Sequence, residues 1–225
     1  MKHLGYLPAA VFLALLLPAE ASAGCSDSAG AGVDWSNCEK RRLMLSGSDL
    51  SEARFVGANL SSSDFKEANL SGADLSGANV TRARFQGASL TNATLETAAG
   101  DRANFIEADL SGANLVKAEL PRADLTDAIL DGADLGKADL QRTVFEGASL
   151  KNVNLEYALL ARTRLVNADL DGAKLHGAYT YLARFEGSDL SSSLGLTQDQ
   201  LSIACGDADT KLPEGLEAPA EWPCE

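Results

Sequence analysis

The sequence predicts a repeat protein whose chain winds into a stack of coils, and two regularities carry this prediction. The first is an apolar residue at every multiple of five from Leu45 to Leu190, of which 28 of 30 are Leu, Phe or Val. The residue two places earlier is Ala in 23 of these repeats. A period of five fits neither the helical period of about 3.6 nor the alternation of an ordinary strand. A fixed short repeat is instead typical of a solenoid.

The second regularity has a period of twenty and separates phenylalanine from leucine. Five of the six Phe residues after position 23 share one column of positions spaced by twenty: Phe65, Phe85, Phe105, Phe145 and Phe185. The column from Leu50 to Leu190 contains only Leu. A repeat of five alone does not sort the residues in this way, whereas a coil that stacks each residue on the one twenty positions away does. The sequence therefore predicts coils of twenty residues with an aromatic stack in one wall of the core.

The repeat itself, as in SGADLSGANV at 71–80 and IEADLSGANL at 106–115, resembles the A-[DN]-L-x-x motif of the pentapeptide-repeat family. The resemblance covers about two thirds of the chain. It implies an all-β fold, a right-handed quadrilateral β-solenoid in which four repeats form each square coil, with about seven coils in this chain. It also implies that the apolar centre and the small residue two before it point inward. Small residues beside large ones let such a narrow core pack without voids.

Four segments are expected along the chain. Residues 1–23 are interpreted as a signal peptide, with Lys2, a short apolar run and an A-x-A site that ends at Ala23. Cleavage near Ala23/Gly24 would give a periplasmic or secreted protein without a membrane span, because the apolar run is too short to cross comfortably. An uncleaved anchor is one alternative. Lipidation at Cys25 is another, less favoured because the usual aliphatic residue three before the cysteine is missing.

The remaining segments are an N-terminal cap at 24–42, the pentapeptide-repeat solenoid at 43–194 and a C-terminal cap at 195–225. A solenoid exposes core and strand edges at its ends, so both ends need covers. The C-terminal cap is predicted to hold a short helix, with Thr197 as N-cap, Gln200 closing a capping box and Gly206 as the C-terminal stop. The Pro-rich tail after it is expected to lie extended over the last coil.

Two interruptions of the repeat, Gly100 and Thr180, are interpreted as a tolerated cavity and a buried hydroxyl bonded to a carbonyl. A spot that admits a ligand is the alternative. An aromatic and aliphatic cluster is expected either to lie under the Pro-rich tail or to form a partner site. It consists of Tyr157, Leu159, Tyr179, Tyr181 and Leu182.

Four cysteines lie outside the repeats: Cys25, Cys38, Cys205 and Cys224. An even number in an exported chain favours disulfides over metal or redox chemistry, and three pairings are possible in principle. In the solenoid that the resemblance implies, the two ends stand a rod apart, whereas bridged cysteines need Cα atoms within about 7 Å. The pairs Cys25–Cys38 and Cys205–Cys224 are therefore expected. The LT-x-x-Q-L helix and LPEGL tail are also similar to endings of exported bacterial relatives.

Charge is predicted to be unevenly distributed around the rod. The formal net charge is −13, which gives no global electrostatic reason to bind nucleic acid or an anionic membrane. One corner column nevertheless contains Arg82, Arg102, Arg122, Arg142 and Arg162. This column belongs to the face centred on Leu60 and Leu120. The opposite wall, centred on the all-Leu column, carries seven acidic residues and one lysine, Lys151: Asp49, Glu52, Asp109, Asp131, Asp169, Asp171 and Asp189. The arginine column is either an anion-binding or partner-binding surface or a corner preference propagated by repeat duplication.

Catalysis has little support in the sequence. His176 is the only histidine after the signal segment, and neither a Gly-rich phosphate loop nor a Cys/His metal spacing is present. No cofactor or metal is expected. The resemblance implies one further function, an acidic DNA mimic that inhibits a type II topoisomerase, which the signal peptide and the arginine column disfavour. We expect a non-catalytic exported scaffold of the bacterial envelope, whose partner is an envelope protein or a polyanion, with a homodimer as a further option.

Overall fold

The protein, described here by a computed structural model of residues 24–222, is a four-walled solenoid with twenty residues in each coil. Successive coils are joined by single parallel bridges between residues twenty positions apart, from Asp34 with Arg54 to Lys174 with Leu194. The bridges are isolated, so each wall contributes one bridged residue per coil and no longer strand. This register confirms the twenty-residue coil that the sorting of Phe from Leu predicts.

The backbone of each repeat is saturated by a fixed set of hydrogen bonds. In the repeat around Leu70, the Leu70 N–H donates to the Ser89 carbonyl of the next coil at 2.7 Å, and the Gly72 N–H donates to Thr91 O at 2.9 Å. The turn closes when the Ala73 N–H donates to Leu70 O at 3.0 Å. Because buried backbone groups must be paired, this pattern explains why the coils stack in a strict register.

The side chains that point inward are the two predicted positions of each repeat. Leu and Phe centres from Leu50 onward, and the Ala residues beside them, have almost no exposed surface. Phe65 stacks on Phe85 with ring centroids 4.9 Å apart, and Phe85 stacks on Phe105 at 4.7 Å. The rings are nearly parallel, with interplanar angles of 2° and 4°. The predicted aromatic stack is therefore confirmed, and its spacing gives the rise of one coil.

Four walls can be named by their inward centres. Wall 1 contains the Phe65–Phe105 stack, wall 2 the Leu50–Leu190 column, wall 3 Phe55 and Leu75, and wall 4 Leu60 and Leu120. The Asp or Asn of the repeat lies at the middle of a wall and accepts a hydrogen bond from the N–H two residues later, as Asp74 does from Ser76 at 3.0 Å. The same contact recurs along the rod. The polar residue of the motif thus holds the turn that follows it.

Neither interruption of the repeat opens the core. A Cβ added to Gly100 would lie 2.6 Å from Leu120 Cδ2 and 3.2 Å from Val80 Cγ2, so neighbouring coils already fill the space. Thr180 is fully buried, and its hydroxyl donates to the Gln200 carbonyl at 2.7 Å. The hydroxyl is satisfied as expected, and the cavity expected at Gly100 is largely closed.

At the N-terminal end the coil register begins earlier than the predicted boundary at residue 43. Asp34 and Glu39 already bridge to the next coil, so the rod has eight coils rather than about seven. Trp35 is 2% exposed and packs on Phe55 at 5.7 Å between ring centroids, while Lys40 Nζ lies 4.1 Å from the Trp35 ring centre. Lys40 stands at a centre position and interrupts the apolar pattern, so the sequence pattern did not reveal this first coil.

A disulfide bond also stabilises the N-terminal end of the rod. Cys25 and Cys38 are joined by a disulfide with their Cα atoms 5.6 Å apart. At the other end Cys205 is buried and is not a free thiol. Cys224, like the signal segment 1–23, lies outside the described residues, so the pairing of Cys205 with Cys224 stays a prediction.

The C-terminal end is covered by helix α1, Gln198–Ser202. Thr197 is its N-cap and forms the predicted capping box with Gln200, whose side chain also donates to the carbonyls of Leu175 and Ala178 at 2.9 and 2.8 Å. The helix ends at Ser202 with Ile203 as its C-cap, so Gly206 is not its stop. A Cβ on Gly206 would lie 2.6 Å from the Trp222 ring, and the glycine instead makes room for that ring.

After α1 the chain rejoins the rod with a shifted register. Arg184 bridges to Cys205 and Asp189 to Lys211, which are offsets of 21 and 22 residues. The tail then packs Leu212, Leu216 and Trp222 against the core. Within residues 24–222 no helix is long and apolar enough to cross a membrane.

Candidate functional site: an arginine edge

The predicted arginine column lies along the corner between wall 4 and wall 1. We call this corner the arginine edge and define it by six exposed residues: Arg42, Arg82, Arg102, Arg122, Arg142 and Arg162. Arg42 is an addition to the predicted set, because it belongs to the coil that the sequence hides and is separated from Arg82 by Ser62. The column ends at Leu182. Stacking at about 4.8 Å per coil places successive guanidinium groups within reach of one extended ligand.

Most of these arginines have no partner among residues 24–222. Arg42, Arg82, Arg142 and Arg162 form neither an ion pair nor a side-chain hydrogen bond with any residue in the range 24–222. The guanidinium group of an arginine side chain carries a positive charge in proteins. The edge therefore presents unneutralised cations on a chain whose net charge is −13.

The two remaining arginines of the edge share one carboxylate. Arg122 Nη1 lies 2.9 Å from Asp101 Oδ1, and Arg102 Nη1 lies 3.8 Å from Asp101 Oδ2. Asp101 thus bridges two successive coils of the edge. No other carboxylate among residues 24–222 contacts two arginines of the edge.

The arginines that flank the edge are paired differently. Arg84 on wall 1 contacts Asp64, Arg164 contacts Glu146, and Arg184 Nη2 lies 2.7 Å from Glu186. Hydrogen bonding to Glu186 raises the pKa of Arg184 further. These side chains cross-link the wall and are occupied. The flanking arginines are consequently structural, and the unpaired ones are concentrated at the corner.

Backbone conformation makes arginine an unfavourable choice at this corner. Every corner residue from Gly32 to Gly187 has φ between 54° and 70°, the left-handed region that favours Gly, Asn or Asp. The other three corner columns contain four to seven Gly, Asn or Asp residues in eight positions, whereas the arginine edge column contains none. The chain therefore places arginine where the backbone disfavours it, which weakens the interpretation as a neutral corner preference.

A hollow lies on the edge between two coils. It has a volume of about 330 Å³ and is lined by Pro121, Arg122, Gln141 and Arg142. A second hollow, of about 390 Å³, opens at the opposite corner of wall 4, where Gly136 lacks a side chain between Lys117, Lys137 and Tyr157. Both hollows are open to solvent. They are shallow surface features rather than enclosed active-site clefts.

Exposed aromatic residues continue the surface at the C-terminal end of wall 4. Tyr157, Leu159, Tyr179 and Tyr181 are 51%, 40%, 49% and 43% exposed. The expectation that the tail covers them is wrong for the described residues, because the tail through Trp222 packs on α1 and the end of the core instead. This aromatic patch borders the last arginines of the edge, and its composition is typical of a binding surface.

Wall 2, opposite wall 4, is acidic as expected, but its carboxylates have structural partners. Asp49 accepts hydrogen bonds from the N–H and hydroxyl of Ser51, which lower its pKa. Asp189 has its pKa lowered to about 2, chiefly by the Lys211 ammonium 2.8 Å away. Lys151 pairs with Asp169 at 3.2 Å. The sequence pattern did not predict that these Asp side chains accept hydrogen bonds within the following turn. The recurring Asp-x-Ser spacing is the sequence signal for this contact.

No catalytic arrangement is found in residues 24–222. His176 is exposed and meets Tyr157 edge-on at 5.5 Å between ring centroids. The described range contains no group of three or more His, Cys, Asp or Glu that could hold a metal ion.

Comparisons with known proteins address the fold and the family. The family model for pentapeptide repeats matches eight copies, over residues 45–82, 78–115, 108–147 and 148–179. HetL, a pentapeptide repeat protein involved in heterocyst differentiation regulation from the cyanobacterium Nostoc sp. strain PCC 7120, is 30% identical, with 80% of this chain and 89% of HetL covered and a TM-score of 0.41.

A trypsin-treated form of QnrB1, a plasmid-mediated fluoroquinolone resistance protein, is 23% identical. The match covers 77% of this chain and 91% of QnrB1, with a TM-score of 0.53, and it shows a shared fold. No curated protein sequence matches this chain.

Proposed function

Because the chain belongs to the pentapeptide-repeat family and has its right-handed quadrilateral β-solenoid, we propose that it is a non-catalytic binding scaffold of the bacterial envelope. In this proposal the arginine edge engages an acidic partner. The rod supplies rigidity, since each coil is hydrogen-bonded to the next along its whole length. Function therefore lies in what the surface presents, not in a reactive centre.

One observation carries the proposal: four of the six arginines on the edge have no partner within residues 24–222. The flanking arginines Arg84, Arg164 and Arg184, by contrast, each pair with a carboxylate. The unpaired arginines share one straight corner. Such an arrangement favours a ligand with several negative charges in a row.

Export is supported by two features. The signal-like segment 1–23 precedes the described residues. In addition, the Cys25–Cys38 disulfide closes the N-terminal coil, and disulfides persist mainly in oxidising compartments. Cell fractionation tests this part. We expect a mature protein without residues 1–23 in the periplasm or medium, whereas a cytosolic protein with an intact N-terminus would overturn export.

Binding through the edge is tested with a sulfated polysaccharide resin and two matched variants. The double variant Arg82→Gly/Arg142→Gly removes two unpaired charges from the edge. The control Lys117→Gly/Lys137→Gly removes two charges from the other corner of wall 4, where φ is 56° and 61°. We expect only the first variant to elute at lower salt than the wild type. Equal elution of the wild type and the arginine variant would contradict the proposal.

A second candidate function is occupation of the DNA site of a type II topoisomerase. The acidic wall 2 and the net charge of −13 favour it. A gyrase supercoiling assay with the mature protein decides this candidate. Inhibition that survives loss of the arginine edge would favour it over the envelope scaffold.

A further inference from the structure

The arginine edge already contains one bound carboxylate, and its position shows how a further one would bind. Asp101 is the residue just before Arg102, and its two oxygens face Arg102 and Arg122 on successive coils. The protein thus shows that a carboxylate fits between two adjacent arginines of this corner. Arg122 donates a charge-assisted hydrogen bond to Asp101 at 2.9 Å, and Arg102 adds an ion pair at 3.8 Å.

The next coils lack this internal carboxylate. The residues equivalent to Asp101 are Pro121, Gln141 and Ala161, none of which carries a charge. Arg142 and Arg162 are unpaired within residues 24–222, and the hollow of about 330 Å³ lies where Pro121 and Gln141 leave room beside Arg122 and Arg142. This half of the edge therefore has the arginines of a carboxylate site without the carboxylate.

We propose that Arg122, Arg142 and Arg162 bind successive carboxylates of a linear acidic polysaccharide built of uronate residues. The proposal rests on the proposed function and names the partner of its arginine edge. Each ligand carboxylate takes the position, relative to two adjacent coils, that Asp101 takes between Arg102 and Arg122. Because Asp101 occupies the preceding interval, the site extends from Arg122 toward the C-terminal end.

Successive coils of the edge repeat every 4.7 to 4.9 Å, as measured at the Phe stack. The arginines therefore form a straight row of positive charges, which suits a ligand that carries carboxylates at short, regular intervals. A linear polyuronate meets this requirement because every sugar residue carries one carboxylate.

The surroundings of the site also suit sugar rings. Glu119 and Asp139 lie at the middle of wall 4 beside the first part of the site, and Asp124 lies on wall 1. On the next two coils the positions of Glu119 and Asp139 are taken by Leu159 and Tyr179. The balance of charge thus becomes more positive toward Arg162. There the exposed rings of Tyr179 and Tyr181 offer apolar faces on which pyranose rings can stack.

The test measures binding of a galacturonate hexamer to the mature protein by calorimetry. We expect Arg142→Gly/Arg162→Gly to weaken binding at least about tenfold and the control Lys117→Gly/Lys137→Gly to stay within about twofold of the wild type. The same hexamer with its carboxylates methyl-esterified should not bind. Loss of affinity in the lysine control, or equal binding of the ester, would overturn the proposal.

Two further variants are expected to act in opposite directions. Gln141→Asp places a carboxylate between Arg142 and Arg162 and should lower affinity for the hexamer. Asp101→Asn frees Arg102 and Arg122 and should raise it. If neither variant shifts the affinity, the geometry inferred from Asp101 is wrong.

Comparison ligands separate this proposal from the function on which it rests. An oligoglutamate or a single-stranded oligonucleotide that binds the edge more tightly than the hexamer would refute the polyuronate while leaving an arginine-dependent acidic partner in place. Absence of hexamer binding together with arginine-dependent retention on the sulfated resin would have the same meaning. Loss of both would reject the proposed function as well.

Discussion

Replacing arginines of the edge by glycine is expected to stabilise the protein while it weakens binding. Arg82 and Arg142 have φ of 56° and 60° and form no side-chain hydrogen bond within residues 24–222. A left-handed conformation costs a residue with a side chain about 1 to 2 kcal/mol, and glycine nearly nothing. Glycine's greater freedom in the unfolded chain offsets part of this gain. About 1 kcal/mol per position remains.

The two positions lie three coils apart and share no partner, so their effects should add to about 2 kcal/mol. For a chain of this length that corresponds to a rise in Tm of about 4 to 8 °C. Thermal unfolding followed by circular dichroism measures it. Lys117→Gly/Lys137→Gly should rise by a similar amount, because those corners have the same backbone.

The reverse substitution isolates the backbone effect from charge. Gly77 has φ of 63°, and a Cβ added there would meet only Thr97 Oγ1 at 3.9 Å, so space is not limiting. Gly77→Ala should therefore lower stability by about 1 kcal/mol through conformation alone. An unchanged Tm in Gly77→Ala, or a lower Tm in Arg82→Gly/Arg142→Gly, would refute the strain assigned to these corners.

Three other predictions concern the core and the C-terminal cap. Phe85→Ala should cost about 3 to 5 kcal/mol in urea unfolding, whereas Phe85→Leu should cost under about 1.5, since leucine occupies other coils of the same column; similar losses would contradict the stack. The pKa of Asp189 is lowered to about 2, so its bond to Lys211 stabilises the tail above about pH 4 and is lost as the pH falls toward 2. Proteolysis of the tail by an acid protease should rise over that interval, and less so in Asp189→Asn, whose tail is already loosened at neutral pH. Gln200→Ala should lower stability by about 2 kcal/mol, because the last coil loses two carbonyl partners; an unchanged midpoint of thermal unfolding would show that water replaces them.

The interior of the rod could be predicted from the sequence because each core side chain touches its counterparts twenty positions away. The Phe65–Phe105 stack depends only on that register and was expected from the sorting of Phe and Leu. The ends follow no such rule. Lys40 stands at a centre position and hides the first coil, while Gly206 resembles a helix stop although its role is to make room for Trp222.

The candidate site could be predicted in part. The spacing of the arginines placed them in one column, but it could not show which of them are paired. That distinction depends on single side chains beside the corner, such as Asp101 and its neutral equivalent Gln141. The exposure of Tyr179 likewise depends on the path of the tail, which no periodicity describes.

The constant offset of twenty between bridged residues from Asp34 to Leu194 gives the rod the properties of a ruler. Loss or gain of one whole coil would change the length of the cationic corner by a single step and keep all four walls aligned. An indel of five residues would instead turn everything beyond it by a quarter of a revolution, so that the two halves of the cationic row would point in perpendicular directions. The length of the cationic row can therefore change only in steps of one coil. A partner that binds along this row would tolerate insertions or deletions of twenty residues far better than those of five.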